Sequence, residues 1–190
     1  MKRNLRIAKY IVYRNTINNT NDVFWSFSGS FAGISLIGFI HSFIVEASDV
    51  VFFIGSLGAS AILLFGCSNS PLSQPRNVIG GNILSAIVGV TAQYALSGFH
   101  IDWLTSAVAV SVALLVMQLT NTVHPPGGAT AMIATIGSAK IKSLGYLYVL
   151  TPVASGVFIL IVVALIINNI PRHRRYPYKS MNEKTTQLIK

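Results

Sequence analysis

The 190-residue chain has a mean hydropathy of +0.61, and only 10% of its residues are Asp, Glu, Lys or Arg. A typical soluble domain is about 25% charged. Between residues 23 and 139 the charged side chains are limited to Glu46, Asp49, Arg76 and Asp102. A soluble fold could not cover its surface with so few charges, so the composition excludes that class. It predicts an all-α, polytopic membrane helical bundle.

The net charge of +9 is concentrated at the two ends of the chain. Residues 1–22 are rich in Lys and Arg, and residues 172–179 read RHRRYPYK. Positive charge at both ends is typical of segments that anchor a membrane protein on the cytoplasmic side. We therefore place both termini on the cytoplasmic side of the plasma (inner) membrane. We expect no nucleic-acid partner. The single cysteine, Cys67, excludes an internal disulfide and a cysteine-based metal cluster.

We divide the chain into a basic N-terminal segment (1–22), a transmembrane helical domain (23–170) and a basic cytoplasmic tail (171–190). The N-terminal segment fits either a short interfacial helix or a disordered basic tail. Apolar runs predict spans at 23–45, 50–68, 78–97, 103–121 and 144–169.

The apolar run 129–139 is about half the roughly 20 residues that a membrane-crossing helix needs. Two ends on one side of the membrane require an even number of crossings, so we expect about six membrane segments, with this run as the short sixth. A re-entrant half-helix is the alternative. Pro152 is expected to kink the last span, because proline removes one backbone donor.

Small residues recur four positions apart in three of the predicted spans. The pairs and triplet are Gly29 and Gly33, Gly55 and Ala59, and Gly81, Ser85 and Gly89. In lipid, helices associate by close backbone approach, so these positions are expected to mark packed helix faces.

Two proline- and glycine-rich breaks interrupt the apolar pattern at matched places. SPLSQPRNVIGGN covers 70–82, and TNTVHPPGGATAM covers 120–132. Each has prolines, then a Gly-Gly pair, then an apolar helix. Helix N-termini at such re-entry points would aim free N–H groups at an anion. The alternative is that the prolines end helices and the glycines serve packing.

Arg76 and His124 are the two candidate side chains of an anion site in these breaks. A guanidinium is a permanent cation with a donor fork suited to planar oxyanions, although Arg76 could instead anchor to lipid phosphate. His124 could donate to an anion, relay a proton or cap neighbouring carbonyls. The remaining candidate substrate-binding residues flank them: Asn77, Gly80, Gly81, Asn82, Gly127, Gly128 and Thr130.

No catalytic constellation is visible in the sequence, so we expect no enzyme activity, no cofactor and no metal site. A cation pump would need an acidic residue within the membrane. Glu46, Asp49 and Asp102 all fall at the predicted outer edge, which disfavours cation transport.

SPLSQPRNVIGG and VHPPGGATA, with RRYP after the last span, resemble the signature of the HPP family of integral membrane proteins, named for His-Pro-Pro. The resemblance runs from about residue 23 to 177. Cyanobacterial and chloroplast members are associated with nitrite transport, so the resemblance implies a membrane transporter. This chain has Asn82 where many relatives are expected to carry histidine.

These observations lead us to expect a small membrane transporter or channel for an inorganic anion, with nitrite as the best single substrate. One alternative is a non-transporting scaffold or sensor module in which the two breaks form a structural latch. Another is a transporter of a neutral solute. Membrane lipids are expected partners, and six short segments enclose so little volume that we also expect a homo-oligomer.

Overall fold

The computed structural model describes residues 20–43, 55–99 and 101–178, and all regular elements in these ranges are helices. Three parts of the chain lie outside the described residues: the predicted N-terminal segment up to residue 19, residues 46–49 between the first two predicted spans, and the tail beyond residue 178. The helices are α1 (Thr20–His41), α2 (Gly55–Gly66), α3 (Pro75–Leu96), α4 (Asp102–Leu119), α5 (Pro126–Ile136), α6 (Ala139–Ser143) and α7 (Ser155–Ile167).

Short irregular turns join or extend these helices. The last part of α2, Ile62–Gly66, is π-helical, and a 3₁₀ turn at Pro71–Ser73 precedes α3. A π-helical turn at Val149–Ala154 leads into α7 and contains Thr151 in a non-helical conformation, next to Pro152. This interruption is where the sequence predicted a kink.

Both helices that follow the breaks begin at a proline, three residues before the apolar runs that start at residues 78 and 129. α3 starts at Pro75 and α5 at Pro126. Proline suits the first turn of a helix, because its missing N–H would have no partner there and its φ is already helical. Pro75 and Pro126 therefore start these helices, while Pro71 and Pro125 precede them.

Four helical stretches are long and apolar enough to cross a membrane: Thr20–His41, Pro75–Phe99, Asp102–Leu119 and Val149–Ile167. These confirm the all-α membrane bundle. The described part of α2 and helix α5, of 11 residues, are shorter. Six membrane segments thus stay a prediction.

One end of the bundle gathers the start of α1, the end of α2, both breaks and the residues after α7. We call this end the break face. Ser26 in α1 donates to Phe65 O of α2 over 2.7 Å. Asn168 after α7 donates to Leu64 O over 3.0 Å, and Tyr176 donates to Ser73 O over 2.7 Å. The described chain therefore begins and ends at the same face.

Close helix packing rests on glycines at most of the predicted positions. A Cβ on Gly89 of α3 would lie 2.5 Å from Ala131 O and 2.9 Å from Ala131 Cα of α5. Gly29 packs against the Phe65 ring and Gly33 against Leu160. At Gly55, in contrast, a Cβ would meet no atom of the described residues within 4 Å. The predicted packed faces are confirmed in α1 and α3, while Gly55 makes no such contact with the described part of the chain.

Replacing Gly89 by alanine should destabilise the fold by about 1–3 kcal/mol, because the new Cβ meets backbone atoms that cannot rotate away. The measurement is thermal unfolding of the purified chain in detergent. Gly58→Ala in α2 is the matched control, since a Cβ there meets no described atom within 4 Å. Equal melting temperatures for the two variants would contradict the close α3–α5 contact.

Candidate functional site

The two breaks lie against each other at the break face, joined by side chains that cross from one to the other. Arg76 Nη2 donates to Thr120 O over 3.0 Å, and Asn77 Nδ2 donates to Val123 O over 2.9 Å. Both donors lie in the first turn of α3, and both acceptors lie at the end of α4 and in the second break. The structure thus brings the two sequence-predicted segments together.

His124 lies at the centre of this junction and is fully buried. Its Nδ1 lies 2.9 Å from Leu72 O in the first break, and its Nε2 lies 2.9 Å from Ser60 Oγ in α2. A carbonyl oxygen can only accept, so Nδ1 carries the proton. In a neutral imidazole Nε2 is then the acceptor, so the Ser60 hydroxyl donates to it over 2.9 Å in preference to Ser56 O, which lies 3.3 Å away. His124 therefore links both breaks and α2 as the Nδ1–H tautomer.

Glycines allow the two breaks to approach this closely. A Cβ on Gly81 would lie 2.5 Å from His124 Cβ, and one on Gly80 would lie 2.6 Å from the Thr122 methyl group. At Gly127 it would lie 2.7 Å from Ser85 Oγ and 2.9 Å from Gly81 O. Gly128 is different, since its nearest neighbour would be 3.8 Å away. Three of the four predicted glycines therefore serve close packing.

The first amides of α5 are engaged within their own turn. Gly127 N donates to His124 O over 2.8 Å, and Gly128 N donates to Pro125 O over 3.0 Å. At the start of α3, Asn77 N donates to Gln74 O over 2.9 Å. In this conformation these three N–H groups point to protein carbonyls.

A buried polar cluster continues from His124 into the bundle. Thr130 Oγ1 donates to Asn82 Oδ1 over 2.7 Å. The Ser56 hydroxyl therefore donates to Thr130 Oγ1, 2.6 Å away, in preference to Pro126 O at 3.1 Å. The Tyr148 hydroxyl donates to Thr130 O over 2.8 Å. All four residues are at most 4% exposed. Asn82 and Thr130 were predicted as site residues, and the structure places them in one hydrogen-bonded group.

Three residues of this cluster have no predicted role: Ser56, Ser60 and Tyr148. Ser56 and Ser60 are four residues apart, which places them on one face of α2, so their spacing was the available signal. Nothing in the sequence connects Tyr148 with Thr130, because the two residues are 18 positions apart in the chain.

The tail after α7 is tied to the break face by Arg174, another residue without a predicted role. Its Nε donates to Asp22 Oδ1 over 2.7 Å, and its Nη2 donates to Asp22 O and to Ser26 Oγ. Its Nη1 lies 3.4 Å from both Phe65 O and Asn168 Oδ1. All five guanidinium N–H groups are thus directed at protein acceptors.

Tyr176 anchors the same tail against the first break. Its side chain is 2% exposed and packs in the apolar cluster of α1, α2 and α7. Burial raises the pKa of the Tyr176 phenol, which keeps it protonated as the donor to Ser73 O. The RRYP segment therefore forms part of the break face.

The described residues contain no group of three or more His, Cys, Asp or Glu side chains that could hold a metal ion. The polar groups at the breaks are hydroxyls, amides, an imidazole and a guanidinium. This donor set suits hydrogen bonding to an anion rather than coordination of a cation.

Arg174→Lys should destabilise the protein by about 2–3 kcal/mol, because an ammonium cannot reproduce the planar set of donors. Thermal unfolding in detergent measures the change. Arg175→Lys is the control, since Arg175 is exposed and adjacent. Similar melting temperatures for both variants would show that the Arg174 contacts contribute little.

His124 should show the resonances of a neutral imidazole protonated on Nδ1 in ¹⁵N NMR spectra at neutral pH. Ser60→Ala should shift the Nε2 resonance, because it removes the hydrogen bond to that nitrogen. Ser106→Ala is the control, since its buried hydroxyl pairs with Thr135 elsewhere in the bundle. An Nε2-protonated ring would contradict the assigned hydrogen bonds.

The chain is similar to known proteins of one family. The family described as "HPP, transmembrane region" matches residues 15–177. A transmembrane protein of Dictyostelium discoideum is 41% identical over 157 residues, which cover 82% of this chain and 50% of that protein. A second transmembrane protein of the same organism is 39% identical over 165 residues, covering 86% of this chain and 58% of that protein.

The chain spans about half the length of the curated relatives it matches. No solved structure matches it significantly. The family match covers α1 to α7 together with both breaks and Tyr176. The chain therefore belongs to the HPP transmembrane family.

Proposed function

We propose that this membrane protein transports a small inorganic anion, with nitrite as the best candidate substrate. The observation that carries the proposal is the meeting of two interrupted segments of a membrane bundle around the buried His124. Transporters commonly bind substrates where helices are interrupted and the freed backbone is enclosed by protein. Nitrite is chosen because the family resemblance implies it.

Arg76 is the residue through which the anion is bound in this proposal. Its side chain is exposed at the break face and is held by the Nη2 bond to Thr120 O. A guanidinium has five N–H donors, so others can form a fork to the two oxygens of nitrite. Release of Thr120 O would free Nη2 as well.

Transport requires the two breaks to separate, because cross-break hydrogen bonds close the junction in this structure. Parting them would free the donors of Arg76, Asn77 and His124 together. Inward movement of an anion is opposed by about 2.3 kcal/mol per charge for each 100 mV of inside-negative potential. We infer that His124 takes up a proton to offset this, with the Ser60 hydroxyl rotating away from Nε2.

We also propose that the break face is cytoplasmic in the plasma membrane and that the chain crosses six times. The course of α5 and α6 supports the sixth crossing. α5 begins at the break face, while Gly145 contacts the Tyr94 hydroxyl and Tyr146 lies 3.0 Å from Thr91 Oγ1 near the far end of α3. The segment therefore runs alongside α3 from Gly81 to Tyr94, which supports a short crossing. The proposed assembly is a homo-oligomer.

One observation favours a second function, that of a non-transporting membrane module with a structural latch. Arg76, Asn77 and His124 each donate to a backbone carbonyl outside their own helix or break. Such bonds stabilise irregular backbone whether or not anything is transported. The two functions make different predictions for variants that fold.

Arg76→Lys should lower nitrite uptake into proteoliposomes at least tenfold, because lysine keeps the charge but loses the donor fork. The flux of nitrite and of nitrate is measured with and without a pH gradient. Saturable nitrite entry that follows the proton gradient is expected for the unaltered protein.

Arg172→Lys is the matched control, since it makes the same replacement at an exposed arginine of the tail. Near-normal uptake by folded Arg76→Lys would disprove the role of the fork. Absence of nitrite flux from folded, unaltered protein would disprove nitrite transport. Unfolding of both Arg76→Ala and His124→Ala would favour the latch.

A further inference from the structure

A polar cleft of about 190 Å³ opens at the break face, between the start of α1, the end of α2 and the tail. Its walls include Asp22, Ser68, Asn69, His173 and Arg174. None of these residues belongs to the cluster of Arg76 and His124. The cleft is therefore a separate feature of the molecule.

The backbone carbonyls beside the cleft already have donors. Leu64 O accepts from Asn168, and Phe65 O accepts from Ser26 and Arg174. Farther along, Cys67 O accepts from Ser70 N and from Ser73 Oγ, and Ser68 O accepts from Gln74. The C-terminal end of α2 thus presents few unoccupied acceptors to the cleft.

The hydrogen-bond donors of Ser68 and Asn69, unlike the carbonyls beside the cleft, have no partner in the described part of the chain. Among the described residues, neither their backbone N–H groups nor their side chains donate a hydrogen bond. The residues of this wall thus carry two consecutive backbone N–H groups, a hydroxyl and an amide that have no protein acceptor in the described part of the chain. Adjacent backbone N–H groups of this kind are a recurrent means of binding anions.

The charges around the cleft also favour an anion. The carboxylate of Asp22 is paired with Arg174 over 2.7 Å, and His173 Nε2 lies 2.9 Å from the same oxygen. This pairing offsets the negative charge within the cleft wall. Arg172 and Arg175, both exposed, flank the two tail residues and add positive charge nearby.

We propose that this cleft binds a small oxyanion through the Ser68–Asn69 wall. Its ligand is a free oxyanion such as phosphate or nitrite, or the phosphate of an anionic lipid headgroup, since these share the same acceptor chemistry. The site is independent of the transport proposal, because it uses none of the residues assigned to transport.

Binding is tested on the full chain, purified in neutral detergent, by isothermal titration with sodium phosphate and with sodium nitrite at constant ionic strength. A second arm titrates mixed micelles of phosphatidylglycerol, with phosphatidylcholine as the uncharged comparison. The variant Ser68→Ala/Asn69→Ala should bind at least tenfold more weakly, because two hydrogen bonds to a charged ligand are lost. Arg175→Gln, which removes a neighbouring charge outside the cleft, should change affinity less than threefold.

Binding of free phosphate or nitrite that the double variant weakens supports the site with a soluble ligand. Binding of phosphatidylglycerol alone, weakened in the same way, supports it with a lipid headgroup. No binding in either arm, or equal affinity of the double variant and the unaltered protein, overturns the proposal. Thermal unfolding of each variant verifies its fold, and nitrite flux in proteoliposomes is scored separately, so failure of transport is distinguishable from failure of the cleft.

Discussion

The irregular backbone of the two breaks must be hydrogen-bonded inside an apolar bundle, and the rest of the structure depends on that constraint. His124 meets it at the centre by donating to Leu72 O while it accepts from Ser60. Arg76 and Asn77 meet it at the edge by donating to carbonyls that no helix can satisfy. An unsatisfied group in such surroundings costs several kcal/mol, so the two breaks are stable only together.

The tail after α7 forms a second set of contacts that holds the helix ends together at the break face. Arg174 directs its five N–H groups at acceptors from α1, α2 and the end of α7, and Tyr176 fills an apolar site under the first break. Both are polar side chains that contact backbone carbonyls where helices end. The break face is therefore built by side chains that cap helix ends. The binding and transport roles proposed for it use donors that this capping leaves exposed or can release.

Several features of the site follow from the sequence because they are local. Prolines followed by a Gly-Gly pair predicted where helices stop and restart, and small residues four positions apart predicted packed faces in α1 and α3. At Gly80, Gly81 and Gly127 the structure shows that close approach of the backbone requires glycine, while their part in anion binding stays a prediction. Ser60, Tyr148 and Arg174 could not be assigned, because their partners are 18 to 152 residues away in the chain.

The sequence by itself determined the membrane class, the all-helical fold, the positions of both breaks and the family resemblance. Composition, hydropathy and proline chemistry act locally, so they can be read along the chain. Only the tertiary structure decided which carbonyl each buried donor meets, which tautomer His124 adopts, and that a polar cleft lies between α1, α2 and the tail. Each of these features depends on segments that are distant in the sequence but lie within about 3 Å of each other, the length of a hydrogen bond. Residue patterns along the chain do not specify which distant segments meet.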